Sequence, residues 1–351
     1  MTRSVALVSA TAGDEVRRAV ARGLRPCPDY LRLQERHSVE IVDWTSIPRS
    51  SGKRSVGQSM RHVRAAIPKI SEADVVLSDG EHLGIPLAMV MAVLRMNTPH
   101  VCIGHHLLTP AKQRVFKTFK PEGHIDRIVV HSNNQIELLR GSIPRVAPLL
   151  CTVPYAVDVD FWSPSGDRPS PNLVASAGKE HRDYATLVAA LPAAADLFVA
   201  DHSPFSPAAH GQAPAAWPAR IRRGALNARG LRDLYDRATV VVVPVLDTTF
   251  PAGITTLLEA MAMAKAVIVT GTDALAEVVD DGRSGLVVPP GDVGRMAEAI
   301  ELLLADAERR RALGAEARKT VIERYALDAY VDALARVLAE VSGSPTGTTT
   351  R

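Results

Sequence analysis

At 351 residues, 46% hydrophobic and 23% charged, the chain is long enough for two domains and apolar enough to bury a core in each. Its three cysteines, Cys27, Cys102 and Cys151, are widely spaced with no Cys-x-x-Cys pair, which argues against a disulfide framework or a zinc ribbon and fits reduced thiols. The net charge of +3 hides an asymmetry: residues 1–150 hold 21 Lys and Arg against 13 Asp and Glu, and the remainder 20 against 25.

The basic first half points to an anionic acceptor or an anionic membrane surface, scattered solvated charges being the plainer alternative. Aromatics are few and do not interleave with the basic residues, so a nucleic-acid platform is not expected. No stretch reaches the roughly 18 consecutive apolar residues that span a bilayer. No signal-peptide pattern follows Met1. A cytoplasmic protein is expected, free or peripheral at the inner membrane face.

Short β-branched runs alternate with helical patterns along the chain. SVALVS (4–9), VEIVD (39–43), DVVLSD (74–79), HVCIG (100–104) and RIVVHS (127–132) read as strands, with helical segments such as DEVRRAVARGL between them. That rhythm predicts βαβ units around a parallel sheet. It pauses in the Pro-rich stretch 146–172 and restarts with LVASAG (173–178), DLFVAD (196–201), TVVVVPV (239–245), AVIVTG (266–271) and GLVVPP (285–290). The expected fold class is α/β, with two Rossmann-like doubly wound lobes. The boundaries read as 1–155 for the first lobe and 156–326 for the second. A helix over 327–342 is expected to pack back toward the first lobe, with a disordered tail over 343–351.

The stretch PAGITTLLEAMAMAKAVIVT (251–270) carries the most chemistry. A Pro/Gly turn leads into a helix, so the amides of Gly253, Ile254, Thr255 and Thr256 lie where the helix dipole favours an anion such as a diphosphate. Glu259, one turn in, stands where it can accept hydrogen bonds from a ribose. The competing reading is a capping box, with Thr256 as N-cap and Glu259 reaching back to it. Lys179 and Arg182 flank another strand-to-helix turn, where cations oppose the helix dipole unless an anion is bound. His105 and His106 end a strand at the carboxyl edge of the first sheet, where open α/β sheets bind ligands. They lack a companion carboxylate at ligand spacing, so a metal site is not expected. Asp158-Val-Asp160 lies in the connecting segment and reads as a turn. No Gly-x-Gly-x-x-Gly follows the first strand, which argues against a nicotinamide or flavin dinucleotide.

Taken with EVVDDGRSGLVVPPGD (277–292), the segment GITTLLEAMAMAKAVIVT resembles the nucleotide-sugar signature of GT-B glycosyltransferases, specifically the retaining family 4 group. LRDLYDRATVVVVPV (231–245), VPYAVDVDFWSP (153–164) and RIVVHSNNQIELL (127–139) extend the resemblance over about residues 100–330. The resemblance implies transfer of a sugar from a nucleoside-diphosphate sugar to an acceptor hydroxyl, with retention and without a metal or other cofactor. Glu259 would bind the donor ribose, and Lys179 and Arg182 the diphosphate. One of His105 and His106 would lie near the reacting carbon, and Gly13 in the loop by which the first lobe approaches the donor. The family's second glutamate, eight residues before Glu259, is Pro251 here, and Gly253 is displaced by one place. Two other readings stay open: a nucleotide-binding GT-B scaffold without transfer activity, and a GT-B nucleotide-sugar epimerase.

Overall fold

Runs such as Val240–Val243, four consecutive valines with no exposed member, form fully buried parallel strands because both faces are covered by helices. The computed structural model describes residues 2–46, 56–166, 169–201, 211–248 and 251–343. The tail beyond 343 and residues 202–210 of the Pro/Ala-rich stretch lie outside the described residues. The chain divides into two compact units.

The first unit contains β1 (Ser4–Leu7), α1 (Asp14–Ala21), α2 (Asp29–His37), β2 (Glu40–Val42), α3 (Val56–Ser71), β3 (Val75–Ser78), α4 (Glu81–Leu94), β4 (His100–Ile103), α5 (Pro110–Phe119), β5 (Arg127–Val130), α6 (Asn133–Ser142) and β6 (Leu150–Thr152). Its sheet is parallel in the order β2-β1-β3-β4-β5-β6. The second unit contains β7 (Leu173–Ala177), α7 (Tyr184–Ala190), β8 (Asp196–Ala200), β9 (Ile221–Arg223), α8 (Ala228–Arg237), β10 (Val240–Val243), α9 (Ile254–Ala262), β11 (Val267–Thr270), α10 (Asp273–Ala276), β12 (Leu286–Val288), α11 (Val293–Ala305) and α12 (Ala307–Arg324). Its sheet is also parallel, in the order β12-β11-β10-β7-β8-β9. The α/β class read from the sequence is therefore what the chain adopts.

Each sheet reverses direction once. The chain leaves β1 for β2, then crosses to β3 on the other side of β1; in the second unit it leaves β7 for β8 and β9, then crosses to β10. Ligand crevices of open α/β sheets form at the carboxyl ends of the strands flanking such a reversal. The loops after β1 and β3, and those after β7 and β10, are therefore the places to look for chemistry.

Side chains fix several helix starts. Ser132, Asp183, Asn227, Asp292 and Asp306 each accept a backbone N–H three residues on, opening α6, α7, α8, α11 and α12. In the connecting segment Asp158 Oδ1 accepts from the amides of Asp160 and Phe161, both at 3.2 Å, so the Asp-x-Asp triplet is a turn. The last helix, α13 (Leu327–Gly343), belongs to the first unit from Asp328 onward. There Arg36 bonds Asp332 at 2.9 Å and Asp328 at 3.2 Å.

Candidate functional site

In the second unit the turn after β7 is built around Arg182. Gly178, which ends the strand, has φ of 99°, and a Cβ there would fall 2.2 Å from Arg182 Nη2, so glycine is required on both counts. Arg182 is 4% exposed. Its Nε donates to Ala177 O at 2.9 Å, Nη1 to Glu180 O at 2.9 Å and Nη2 to Thr256 Oγ1 at 3.1 Å. Across the sheet reversal its backbone bridges Val245, just past β10. Burial pulls the guanidinium pKa down, while Tyr184, Tyr235, Glu180 and Glu259 act the other way.

The loop after β10 returns to the same place. Gly253 is the N-cap of α9, with φ of 85°; a Cβ there would lie 2.8 Å from Val243 Cγ1 and 3.5 Å from Arg182 Nη1. The start of α9 therefore presses onto the end of β10 with a cation beside it. Among the described residues no side chain caps this helix. The capping box expected at Thr256 and Glu259 does not form, because the helix begins earlier, at Ile254, and Thr256 lies inside its first turn. Thr256, buried, accepts from Arg182 instead. Ile254 is buried, while Thr255 is exposed.

Glu259 lies further along α9, half-buried. Its carboxyl end is enclosed enough that burial raises the pKa to about 8, with Arg182 opposing the rise. Tyr235 of α8 is fully buried close by, its phenol pKa raised well above the ordinary value by burial and by Glu259. Arg182, Gly253, Thr256 and Glu259 thus form one corner: a fixed cation, an uncapped helix N-terminus and a carboxyl group. Lys179 stands half-buried in the turn between Gly178 and Arg182. Of the two cations expected at this turn, Arg182 has its guanidinium held inside the protein by three hydrogen bonds.

The first unit gathers a second cluster at its own sheet reversal. Ser9, after β1, donates to Asp79 Oδ2 from its amide at 2.6 Å and from its hydroxyl at 3.0 Å. Asp79 Oδ1 is buried without a hydrogen bond among the described residues. Burial lifts the Asp79 pKa to about 6 against the pull of the Ser9 bonds. His105, after β4, donates from Nε2 to Asp79 O at 3.1 Å and from its amide to Glu81 Oε2 at 2.9 Å. Its ring stacks on His131 at 5.1 Å. His131 donates from Nδ1 to Val153 O at 2.9 Å, and burial, then the neighbouring His105, lowers its pKa to about 3. Burial would raise the pKa of Glu81, but its ion pair with Lys112 outweighs that and holds it at about 2.

Of the two candidate histidines, His105 therefore has its ring in the cluster; His106 follows it, also half-buried. Gly13 precedes α1 and its carbonyl accepts from Val16 N at 3.0 Å, with no atom within 4 Å of where a Cβ would stand. No expectation from the sequence fell on Asp79 or Glu81, nor on Ser9, Lys112, His131 or Tyr235. The visible signal was the pair of carboxylates in SDGEH, directly after a strand.

Three kinds of comparison bear on this geometry. The family profile described as Glycosyl transferases group 1 matches residues 212–306, which include β10 and α9. Alpha-maltose-1-phosphate synthase from Mycolicibacterium smegmatis is 29% identical over 282 residues, covering 68% of this chain and 72% of its own. Among solved structures, the sucrose-phosphate synthase from Thermosynechococcus elongatus aligns over 96% of this chain and 98% of its own, with a TM-score of 0.72 at 17% identity. Anabaena HepE in complex with UDP-glucose aligns over 96% and 99%, with a TM-score of 0.70 at 14% identity. The chain is a glycosyltransferase of the GT-B fold. Within that fold, the glycosyltransferase carries its two side-chain clusters at equivalent places, the carboxyl ends of the strands beside each sheet reversal.

Proposed function

We propose that this glycosyltransferase takes its sugar from a nucleoside-diphosphate donor held in the second unit, by the retaining chemistry of family 4. The carrying observation is the corner made by α9. An uncapped helix N-terminus is an electropositive site for an anion, and Arg182 beside it adds charge that the helix alone finds unfavourable. A diphosphate bound to the amides at 254–256 answers both. Lys179 closes over it from the turn after β7. Glu259 takes the ribose, and at neutral pH the proton on its carboxyl avoids repulsion with the phosphates while leaving a donor and an acceptor for the two hydroxyls. The complex of Anabaena HepE with UDP-glucose supports a donor of this class.

Departure of the nucleoside diphosphate as the glycosidic bond breaks puts negative charge on the bridging oxygen. The helix N-terminus and the two cations stabilise it without reorganisation, so in this reading the protein supplies the positive charge itself. The acceptor hydroxyl is handled by the first unit, where His105 and the Asp79 carboxyl are the polar groups at the sheet reversal. The leaving diphosphate receives the acceptor proton, consistent with a transfer that keeps the anomeric configuration.

The test is a melting-temperature panel with UDP, GDP, ADP and dTDP. A nucleotide present at about 100 times its dissociation constant adds about 2.7 kcal/mol. One of them should raise the melting temperature of the wild type, and Glu259→Ala and Lys179→Ala should each reduce the rise. If no nucleoside diphosphate moves the transition, the donor assignment fails. If the rise is the same in Glu259→Ala, the ribose assignment fails while the donor class survives.

A further inference from the structure

Between Asp43 and Glu72 the sequence carries Arg49, Lys53, Arg54, Arg61, Arg64 and Lys69 with no acidic residue. From 82 to 121 it carries Arg95, Lys112, Arg114, Lys117 and Lys120, again with no Asp or Glu. These stretches include all of α3 and all of α4 after Glu81, two helices that pack on each other in the first unit. A cavity of about 520 Å³ lies along the pair, lined by Met60, Arg64, Ile67, Met89, Val90 and Val93. Leu94 completes it.

The lining follows helical spacing: Met60, Arg64 and Ile67 on α3, and Met89 with Val93, and Val90 with Leu94, on α4. It does not face the interior. Val93 is 81% exposed, Leu94 53% and Val56, at the start of α3, 78%. Arg61 and Arg64, exposed a turn apart, make no ion pair or hydrogen bond among the described residues, whereas Lys69 is answered by Glu40 at 2.8 Å. The face therefore joins an apolar groove to unneutralised positive charge.

We propose that this groove docks the protein on a bilayer containing anionic lipid, with Val93, Leu94 and the two methionines entering the acyl boundary and Arg61 and Arg64 meeting the phosphates. An apolar stripe flanked by arginines suits an interface that is apolar within and negatively charged at its edge. A second copy of this chain suits it less well, because a symmetric contact would set Arg61 and Arg64 against the same acid-free surface. No helix of the described residues is long and apolar enough to cross the membrane, so attachment through this face is peripheral. The proposal stands apart from the donor assignment, since none of these residues belongs to either polar cluster.

The experiment is flotation of the full chain with vesicles of phosphatidylcholine alone or mixed with phosphatidylglycerol. Binding is expected on the mixed vesicles, weaker on the neutral ones, and reduced in about 0.5 M salt. Arg61→Glu with Arg64→Glu should weaken it at least about tenfold, each basic residue near the surface being worth about fivefold. Val93→Asp with Leu94→Asp should weaken it comparably at unchanged headgroup charge, and the melting temperature and its response to nucleotide should stay those of the wild type. Equal binding to neutral vesicles, no binding to mixed ones, or variants that float like the wild type would overturn the proposal. A dimer abolished by the Val93/Leu94 variant, without vesicle binding, would overturn it too and give the face to a second copy.

Discussion

Burial holds a proton on the Glu259 carboxyl up to about pH 8, and the Arg182 cation keeps the rise from being larger. A group whose pKa is higher folded than unfolded contributes stability that is complete below the unfolded value, near 4.5, and is lost as the pH climbs through the folded one. Glu259→Gln keeps the shape and removes the titration. The unfolding free energy of this variant minus that of the wild type should therefore grow from pH 5 to about 8, by no more than about 1.4 kcal/mol per pH unit. His100, His131 and Asp79 titrate in both proteins and cancel in the difference. Urea melts of the two proteins across that range check it, and a flat difference would mean a carboxylate already ionised at neutral pH. The sequence showed Glu259 on its helix but not its proton, because its pKa is set by burial within the folded chain, which raises it, and by Arg182 on another element, which opposes the rise. The same distance in sequence hid the partner of Thr256, whose short-range spacing to Glu259 spelled a cap that the Gly253 start of α9 made unnecessary.

At the scale of elements, ten strands were legible from their β-branched or aliphatic runs, and β6 and β9 were not. Leu150–Thr152 and Ile221–Arg223 have three residues each, and β9 carries two exposed arginines, so no alternation or apolar run marks them. They are defined by the neighbouring strand, through the Ile128–Leu150 and Leu197–Ile221 registers. Packing of helix on sheet is likewise set by positions that look unremarkable in sequence. Gly84 of α4 faces β4 so closely that a Cβ would meet Cys102 Sγ at 2.3 Å and Ser78 Oγ at 2.6 Å. Gly84→Ala should cost about 1–3 kcal/mol by forcing the helix off the sheet, despite the better helix propensity of alanine. Gly123→Ala, where nothing lies within 4 Å, is the control and should stay near neutral. Chemical denaturation of both variants reads the contrast; equal midpoints would show that α4 has room to move.

At the scale of the molecule, the two α/β units were legible from the rhythm of strands and helices, whereas the tie between α13 and the first unit rests on pairings that no local pattern announces. Arg36, Arg32 and His37 of α2 meet Asp328 and Asp332, with His37 Nε2 at 2.7 Å from Asp332. These pairs are partly exposed, and such pairs contribute about 0–1 kcal/mol each. The apolar face is different: Val331, Leu334 and Leu338 are at most 2% exposed. Leu334→Ala should therefore cost about 2–5 kcal/mol, and Asp332→Ala less than about 1 kcal/mol. If thermal melts reverse that order, the helix is held by charge rather than by packing.

The donor corner at α9 is the claim on which the functional reading turns, and a structure of the chain with the nucleoside diphosphate that raises its melting temperature most addresses it directly. The result predicted is a diphosphate within about 3 Å of the amides at 254–256, Lys179 turned onto it and the ribose hydroxyls on Glu259. A nucleotide seated elsewhere, with the start of α9 empty, would contradict it.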